Sequence, residues 1–154
     1  MKTSYCRSTI LGELLRKPDV ETRYSWDDAL KAAAIAIEKY SDDEMIAVNY
    51  NNLAYFNTSE KFAALDVAAA ERYLDELIKR IPETQWDPVF PEFFHTKGCV
   101  LLAKYEQTKE SAILREAYAA ASEAVRLFPD KREHKTLKET IEALIANPIS
   151  LISQ

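Results

Sequence analysis

Apolar residues recur every three or four positions along most of the chain, which is the spacing of one face of an α-helix. Three segments show this pattern most clearly, and four others, at about 3–16, 44–58, 91–107 and 131–146, show a comparable one. No segment alternates with period two for long enough to predict a strand, so we expect seven helices. The three clearest stripes are Trp26, Ala29, Leu30, Ala33, Ile37 and Tyr40; Phe62, Leu65, Ala69, Tyr73, Leu77 and Ile81; and Leu114, Ala117, Ala121, Ala124, Val125 and Phe128.

Polar residues and prolines predict where these helices begin and end. Ser25 precedes two acidic residues, as expected of a helix cap. Ser41 and Asp130 both stand three residues before a glutamate, which is the spacing of a capping box. Pro88 and Pro91 suit a first helical turn. The remaining prolines lie where periodic segments end, and we expect them to stop helices: Pro18, Pro82, Pro129 and Pro148.

The composition favours the same fold class. The chain of 154 residues contains two glycines and six prolines. β-Sandwiches, barrels and doubly wound α/β folds need more glycine at their turns. With 47% hydrophobic residues the chain is too apolar to be disordered. We therefore predict an all-α protein, with residues 1–154 forming a single domain.

Charge, cysteines and hydropathy bear on the partners and the compartment. Twenty basic and twenty-five acidic residues are mixed along the chain, which argues against a nucleic-acid partner. The longest apolar run, around residues 99–103, is too short to cross a membrane. The first residues carry no apolar signal sequence, and Cys6 and Cys99 are expected to be reduced thiols. These features favour a cytoplasmic protein.

Small residues inside helical segments indicate an internal repeat. Glycine in a helix costs about 1 kcal/mol relative to alanine, so a close packing contact is the expected reason for it. We predict three helix hairpins, each with a small residue of its first helix facing a small residue of its second helix, and stacked into one core. The predicted facing pairs are Gly12 with Ala29, Ala54 with Ala70, and Gly98 with Ala117.

The segment Tyr50-Asn51-Asn52-Leu53-Ala54-Tyr55 resembles the first helix of a tetratricopeptide repeat. Ala70, Leu77 and Pro82 match its second half, residues 91–129 look similar, and residues 3–40 match more weakly. The resemblance implies a right-handed α-α superhelix of three hairpins, at 3–40, 44–82 and 91–129. A capping helix at 131–146 and an apolar tail at 147–154 would follow. The spacing of 41–47 residues exceeds the family's usual period of about 34, and Lys97 stands where leucine is usual.

No residue pattern predicts catalysis. His95 and His134 are the two histidines of the chain, and His134 is expected on a solvated face beside Arg132 and Lys135. No metal-ligand spacing, phosphate loop or nucleophile motif occurs, so we expect no metal and no cofactor. The alternative is an enzyme or small-ligand receptor that uses a pocket near His95 and Cys99.

The resemblance implies a concave groove, lined by the first helix of each hairpin, that binds a peptide, a helix or a protein surface. Such a module would act as an adaptor or as a neutralising partner of another protein, and one sequence does not separate these roles. Asn51 either binds the partner or serves the structure, and Asn52 is expected to bond neighbouring backbone. The predicted groove residues are Thr9, Glu13, Arg16, Asn51, Tyr55, Thr58, His95 and Cys99.

Two other apolar segments leave alternatives open. Trp86, Phe90 and Phe93 lie in an aromatic stretch that is either an interface or a lid over the hairpin joints. The tail after Pro148 would dock on a second copy or on the last helix of its own chain. A homodimer through the tail or the aromatic stretch is therefore a further hypothesis.

Overall fold

A computed structural model describes residues 3–17, 21–40, 43–58, 67–84 and 90–147. Within those ranges every regular element is an α-helix, which confirms the all-α fold class and the seven predicted helices. The helices are α1 (Thr3–Leu15), α2 (Trp26–Lys39), α3 (Glu44–Thr58), α4 (Val67–Thr84), α5 (Phe90–Thr108), α6 (Ser111–Leu127) and α7 (Arg132–Ala146).

The helices group into two compact units, residues 1–89 and residues 90–154. In the first unit α1 packs on α2, α3 packs on α4, and α2 contacts both helices of that second pair. In the second unit α5 packs on α6, and α7 contacts both. Buried alanines recur on α2 and α6, where they let the backbones of paired helices approach: Ala29, Ala33, Ala36, Ala117, Ala121 and Ala124.

Two helix starts show how the local sequence fixes the helix ends. Ser25 and Asp28 form a reciprocal capping box at the start of α2. At the start of α3 the capping residue is Asp43, because its carboxylate accepts from the amides of Met45 and Ile46 at 3.1 and 3.3 Å. The predicted box at Ser41 falls on a residue outside the described ranges.

Two predicted boundaries were wrong. The residue that caps α7 is Lys131, not Asp130, and no side-chain hydrogen bond caps that helix. The Lys131 side chain instead reaches Glu92 of α5. Helix α4 continues to Thr84, beyond Pro82. A proline near a helix end removes one backbone hydrogen bond, so the last turn can accommodate it.

In the first unit, α1 and α3 lie side by side and run parallel. The Asn49 amide donates to the Ser8 hydroxyl at 2.9 Å, and a Cβ added at Gly12 would collide with the Leu53 side chain. Both contacts join residues 41 positions apart. A step of four positions along α1, from Ser8 to Gly12, corresponds to a step of four positions along α3, from Asn49 to Leu53, so the two helices run in the same direction. We call Ser8, Gly12, Asn49 and Leu53 the α1–α3 seam.

In the second unit, α5 and α7 repeat this arrangement. Glu92 pairs with Lys131, and the rings of His95 and His134 lie 5.0 Å apart. A Cβ at Gly98 would come within 2.9 Å of the Leu137 side chain. All three contacts join residues 39 positions apart, so α7 lies parallel to α5. These residues form the α5–α7 seam: Glu92, His95, Gly98, Lys131, His134 and Leu137.

The glycines therefore serve a partly different purpose from the predicted one. A Cβ at Gly98 would also lie 3.5 Å from the Ala121 amide nitrogen and 3.6 Å from the Ala117 carbonyl, which confirms the predicted contact with α6. At Gly12 the atoms within reach belong to Leu53 and not to Ala29, so the pairing predicted there is wrong. The feature common to both glycines is a notch that receives a leucine of the parallel helix.

Candidate binding surfaces

The predicted groove residues of α1 and α3 differ in how far they are exposed to solvent. Glu13 and Tyr55 are exposed, whereas Thr9 and Arg16 are half-buried. The Arg16 guanidinium pairs with Glu13 at 3.0 Å. Asn51 is buried and its neighbour Asn52 is exposed, which favours the structural alternative for Asn51. The side chain of Thr58 lies outside the described part of the chain.

Large apolar side chains are exposed on these two helices, and two of them, Ile10 and Met45, were not among the predicted groove residues. Ile10 is 59% exposed on α1, and Met45 and Tyr55 are 68% and 40% exposed on α3. On each helix they lie away from the buried positions, which include Leu11 and Ile46. We call Ile10, Glu13, Met45, Asn52 and Tyr55 the exposed first-helix face. The signal that could have found it is their helical phase relative to the apolar stripes.

His134 is the centre of a different cluster, in the second unit. Its side chain is fully buried, so the predicted solvated face was wrong. Its Nδ1 lies 3.2 Å from the Ala124 carbonyl oxygen at the end of α6. Its Nε2 lies 3.4 Å from a carboxylate oxygen of Glu92. The available signal was the spacing, because residue 134 stands one turn before Leu137 and two turns before Ile141 on the apolar stripe.

His95 and Cys99 are half-buried on α5, and the His95 ring contacts His134 of α7. The His95 ring is inclined at 31° to that of His134, and its Nε2 lies 3.7 Å from the Cys99 sulfur. Burial, reinforced by the neighbouring His134, lowers the pKa of His95 from 6.5 to about 4. Burial raises the pKa of the Cys99 thiol to about 12. Both groups are therefore neutral near pH 7, and their predicted place in a binding groove stays a prediction.

The cluster is not arranged as a metal site. Among the described residues, no group of three His, Cys, Asp or Glu side chains could hold a metal ion. The Nδ1 of His134 faces a backbone carbonyl, and its Nε2 faces a carboxylate that also pairs with Lys131. The cluster thus joins helices through hydrogen bonds and charge.

A shallow cavity of about 300 Å³ opens between α5 and α6. Apolar surface predominates in its lining, which also includes charged side chains. His95 and Cys99 are not among its lining residues, so it does not match the pocket of the small-ligand alternative. The cavity is lined by Phe94, Lys97, Glu116, Ala119, Ala120 and Glu123.

The predicted aromatic interface is only partly described. Phe93 is fully buried, so its predicted place on an exposed interface was wrong. Trp86 and the side chain of Phe90 lie outside the described residues, as does the tail from residue 148 onward. The choices between interface and lid, and between the two docking modes of the tail, remain predictions.

Comparison with protein-family models, with curated proteins and with solved structures gives no match. Among the helices of the described chain, none combines the length and the apolar character needed to cross a bilayer.

Proposed function

We propose that this chain is a non-catalytic, tetratricopeptide-like module that binds a helix or an extended segment of a protein partner on its exposed first-helix face. In this proposal three hairpins form a right-handed superhelix and α7 caps the last one. The module would serve as an adaptor or as a neutralising partner of another protein. The supporting observation is the exposure of Ile10, Met45 and Tyr55 on adjacent parallel helices.

The repeat geometry supports the architectural part. In each unit a glycine of one first helix receives a leucine of the next parallel helix, Leu53 in one case and Leu137 in the other. Helices that succeed each other in this way, with an antiparallel helix between them, form the building pattern of stacked hairpins. Helix α7 occupies the place of a fourth first helix, as expected of a cap.

The chemistry of the exposed first-helix face supports the binding part. Large apolar side chains that stay exposed can serve as anchors for a protein partner. Met45 and Tyr55 stand ten positions apart on α3, about 15 Å along its axis. This separation spans nearly three helical turns, which suits a bound helix or extended segment. Ile10 adds an exposed apolar side chain on the neighbouring helix α1. Asn52 and Glu13 add polar contacts at the edge of this face.

The test begins with a photoreactive residue at position 52, which captures the partner in cells. The purified partner is then titrated against the wild type and against Ile10→Ser and Tyr55→Ala. Each variant is expected to weaken binding about tenfold, because central anchors carry more than 1 kcal/mol each. Ile35→Ser is the matched control, since Ile35 is 55% exposed but lies on α2. It should change the Kd less than twofold.

Two results would contradict the proposal. One is an equal loss of affinity in Ile35→Ser, which would place the partner elsewhere on the first unit. The other is unchanged binding in both Ile10→Ser and Tyr55→Ala while the variants remain folded by circular dichroism.

A further inference from the structure

The α5–α7 seam holds two imidazole rings in contact with each other, one fully buried and one half-buried. His134 is fully buried and touches all the helices of its unit: α7 carries it, α6 offers the Ala124 carbonyl, and α5 offers Glu92 and His95. Phe128 closes the site edge-on, at 6.2 Å between ring centroids. Any change of charge here acts directly on how α7 is held.

The surroundings of His95 disfavour a positive charge on its ring. The ring lies half-buried against the fully buried His134, with 5.0 Å between the ring centroids, so a proton on it would be poorly solvated. The Lys131 ammonium, which is already paired with Glu92, also opposes a positive charge on His95. The two nitrogens of His134 face a carbonyl of α6 and a carboxylate of α5, so this ring joins α7 to both helices.

We propose that His95 is a proton-triggered latch: its protonation at mildly acidic pH releases α7 from α5 while the α5–α6 hairpin remains folded. The release separates Glu92 from Lys131, lets both imidazoles reach water, and exposes the apolar side of α7 that carries Leu137 and Ile141. This device is independent of the proposed function, because it concerns the second unit alone.

The groups that face His95 have opposing effects on its protonation. Helix α5 contributes Glu92, which favours the proton, and the neutral Cys99 thiol. Helix α7 with its cap contributes His134 and Lys131, which oppose the proton, and Glu133, which favours it. Helix α6 presents the Ala124 carbonyl to His134. Burial opposes the proton more than any of these groups, and it ends when α7 leaves.

Hydrogen exchange measured by mass spectrometry at pH 7.5 and pH 5.5, corrected for intrinsic rates, tests the latch in the intact chain. Release returns His95 from a pKa of about 4 to its ordinary 6.5, so linkage predicts an about tenfold rise in the opening of α7 between these pH values. The increase should be confined to peptides from α7. Unchanged α7 exchange would overturn the proposal, and so would an equal increase in α5 and α6.

Two variants identify the titrating group. His95→Phe keeps a ring at the seam, and His95→Gln keeps a polar side chain, but neither gains a proton. In both, the α7 exchange at pH 5.5 should stay within about twofold of its value at pH 7.5. If only one variant folds, it decides alone. A tenfold acid response that persists without His95 would overturn the assignment.

Discussion

The α1–α3 seam and the α5–α7 seam share a geometry and differ in chemistry. Each places two helices in parallel, and in each a leucine fills the space that a glycine leaves. Beside that contact, however, α1 and α3 meet through a neutral hydrogen bond between Asn49 and Ser8. Helices α5 and α7 meet through Glu92, Lys131 and two imidazoles. The contact of leucine with glycine is thus common to the two seams, whereas the flanking positions carry different chemistry.

The largest expected effect comes from truncating the leucine in each notch. Leu53→Ala and Leu137→Ala should each lower the free energy of unfolding by about 2–5 kcal/mol, because both side chains are buried against a helix that has no side chain to fill the gap. Chemical denaturation measures both. A loss below about 1 kcal/mol at one site would show that the two notches are not equivalent.

Filling the notch tests the same contact from the other side. Gly98→Leu should cost about 1–3 kcal/mol or more through overpacking against Leu137 and the α6 backbone. Ala70→Leu, at a fully buried alanine of α4, should behave similarly. Gly98→Ala is the control: its Cβ meets the movable end of Leu137 at 2.9 Å, so the loss in thermal denaturation should be clearly smaller. Equal melting temperatures for all three variants would refute the close approach.

Lowering the pH should destabilise the α5–α7 seam and leave the α1–α3 seam unaffected. Unfolded His95 binds a proton below its ordinary pKa of 6.5, whereas folded His95 binds one only below about 4. The unfolded state therefore holds more protons between these values, and the stability of the second unit should fall as the pH drops from 6.5 to 4. Urea denaturation across this range, compared between the wild type and His95→Gln, measures the effect. Identical pH profiles would exclude His95 as the cause.

The smallest effect is expected at the neutral seam. Asn49→Ala removes the hydrogen bond to Ser8 and should cost about 0.5–1.5 kcal/mol. The loss should be the same at pH 7.5 and pH 5.5, since neither partner titrates in that range. A pH-dependent loss would show that the α1–α3 seam is coupled to a charged group.

The helices could be predicted well because the signals that define a helix, its cap and its apolar stripe, lie within the helix itself. The cap at Ser25 and the stripe from Trp26 to Ile37 depend on spacing within one helix, and both appear as expected. Pro91 likewise stands in the first turn of α5.

The site was harder to predict because burial depends on the neighbouring helix. Asn51 and Asn52 are adjacent, and only the packing of α3 decides that the first is buried and the second exposed. His134 looked solvated among charged neighbours, but α7 turns it toward α5 and α6. Gly12 was paired with its own hairpin because sequence spacing alone does not identify Leu53 of the parallel helix as its contact.

The shared register is tested most directly by nuclear Overhauser effects in the labelled wild-type chain. We predict cross-peaks between the Gly12 α-protons and the Leu53 methyl groups, and between the Gly98 α-protons and the Leu137 methyl groups. Both sets must appear together. Cross-peaks from either glycine to a different leucine one turn away, or from only one of the two glycines, would contradict the common geometry of the two seams.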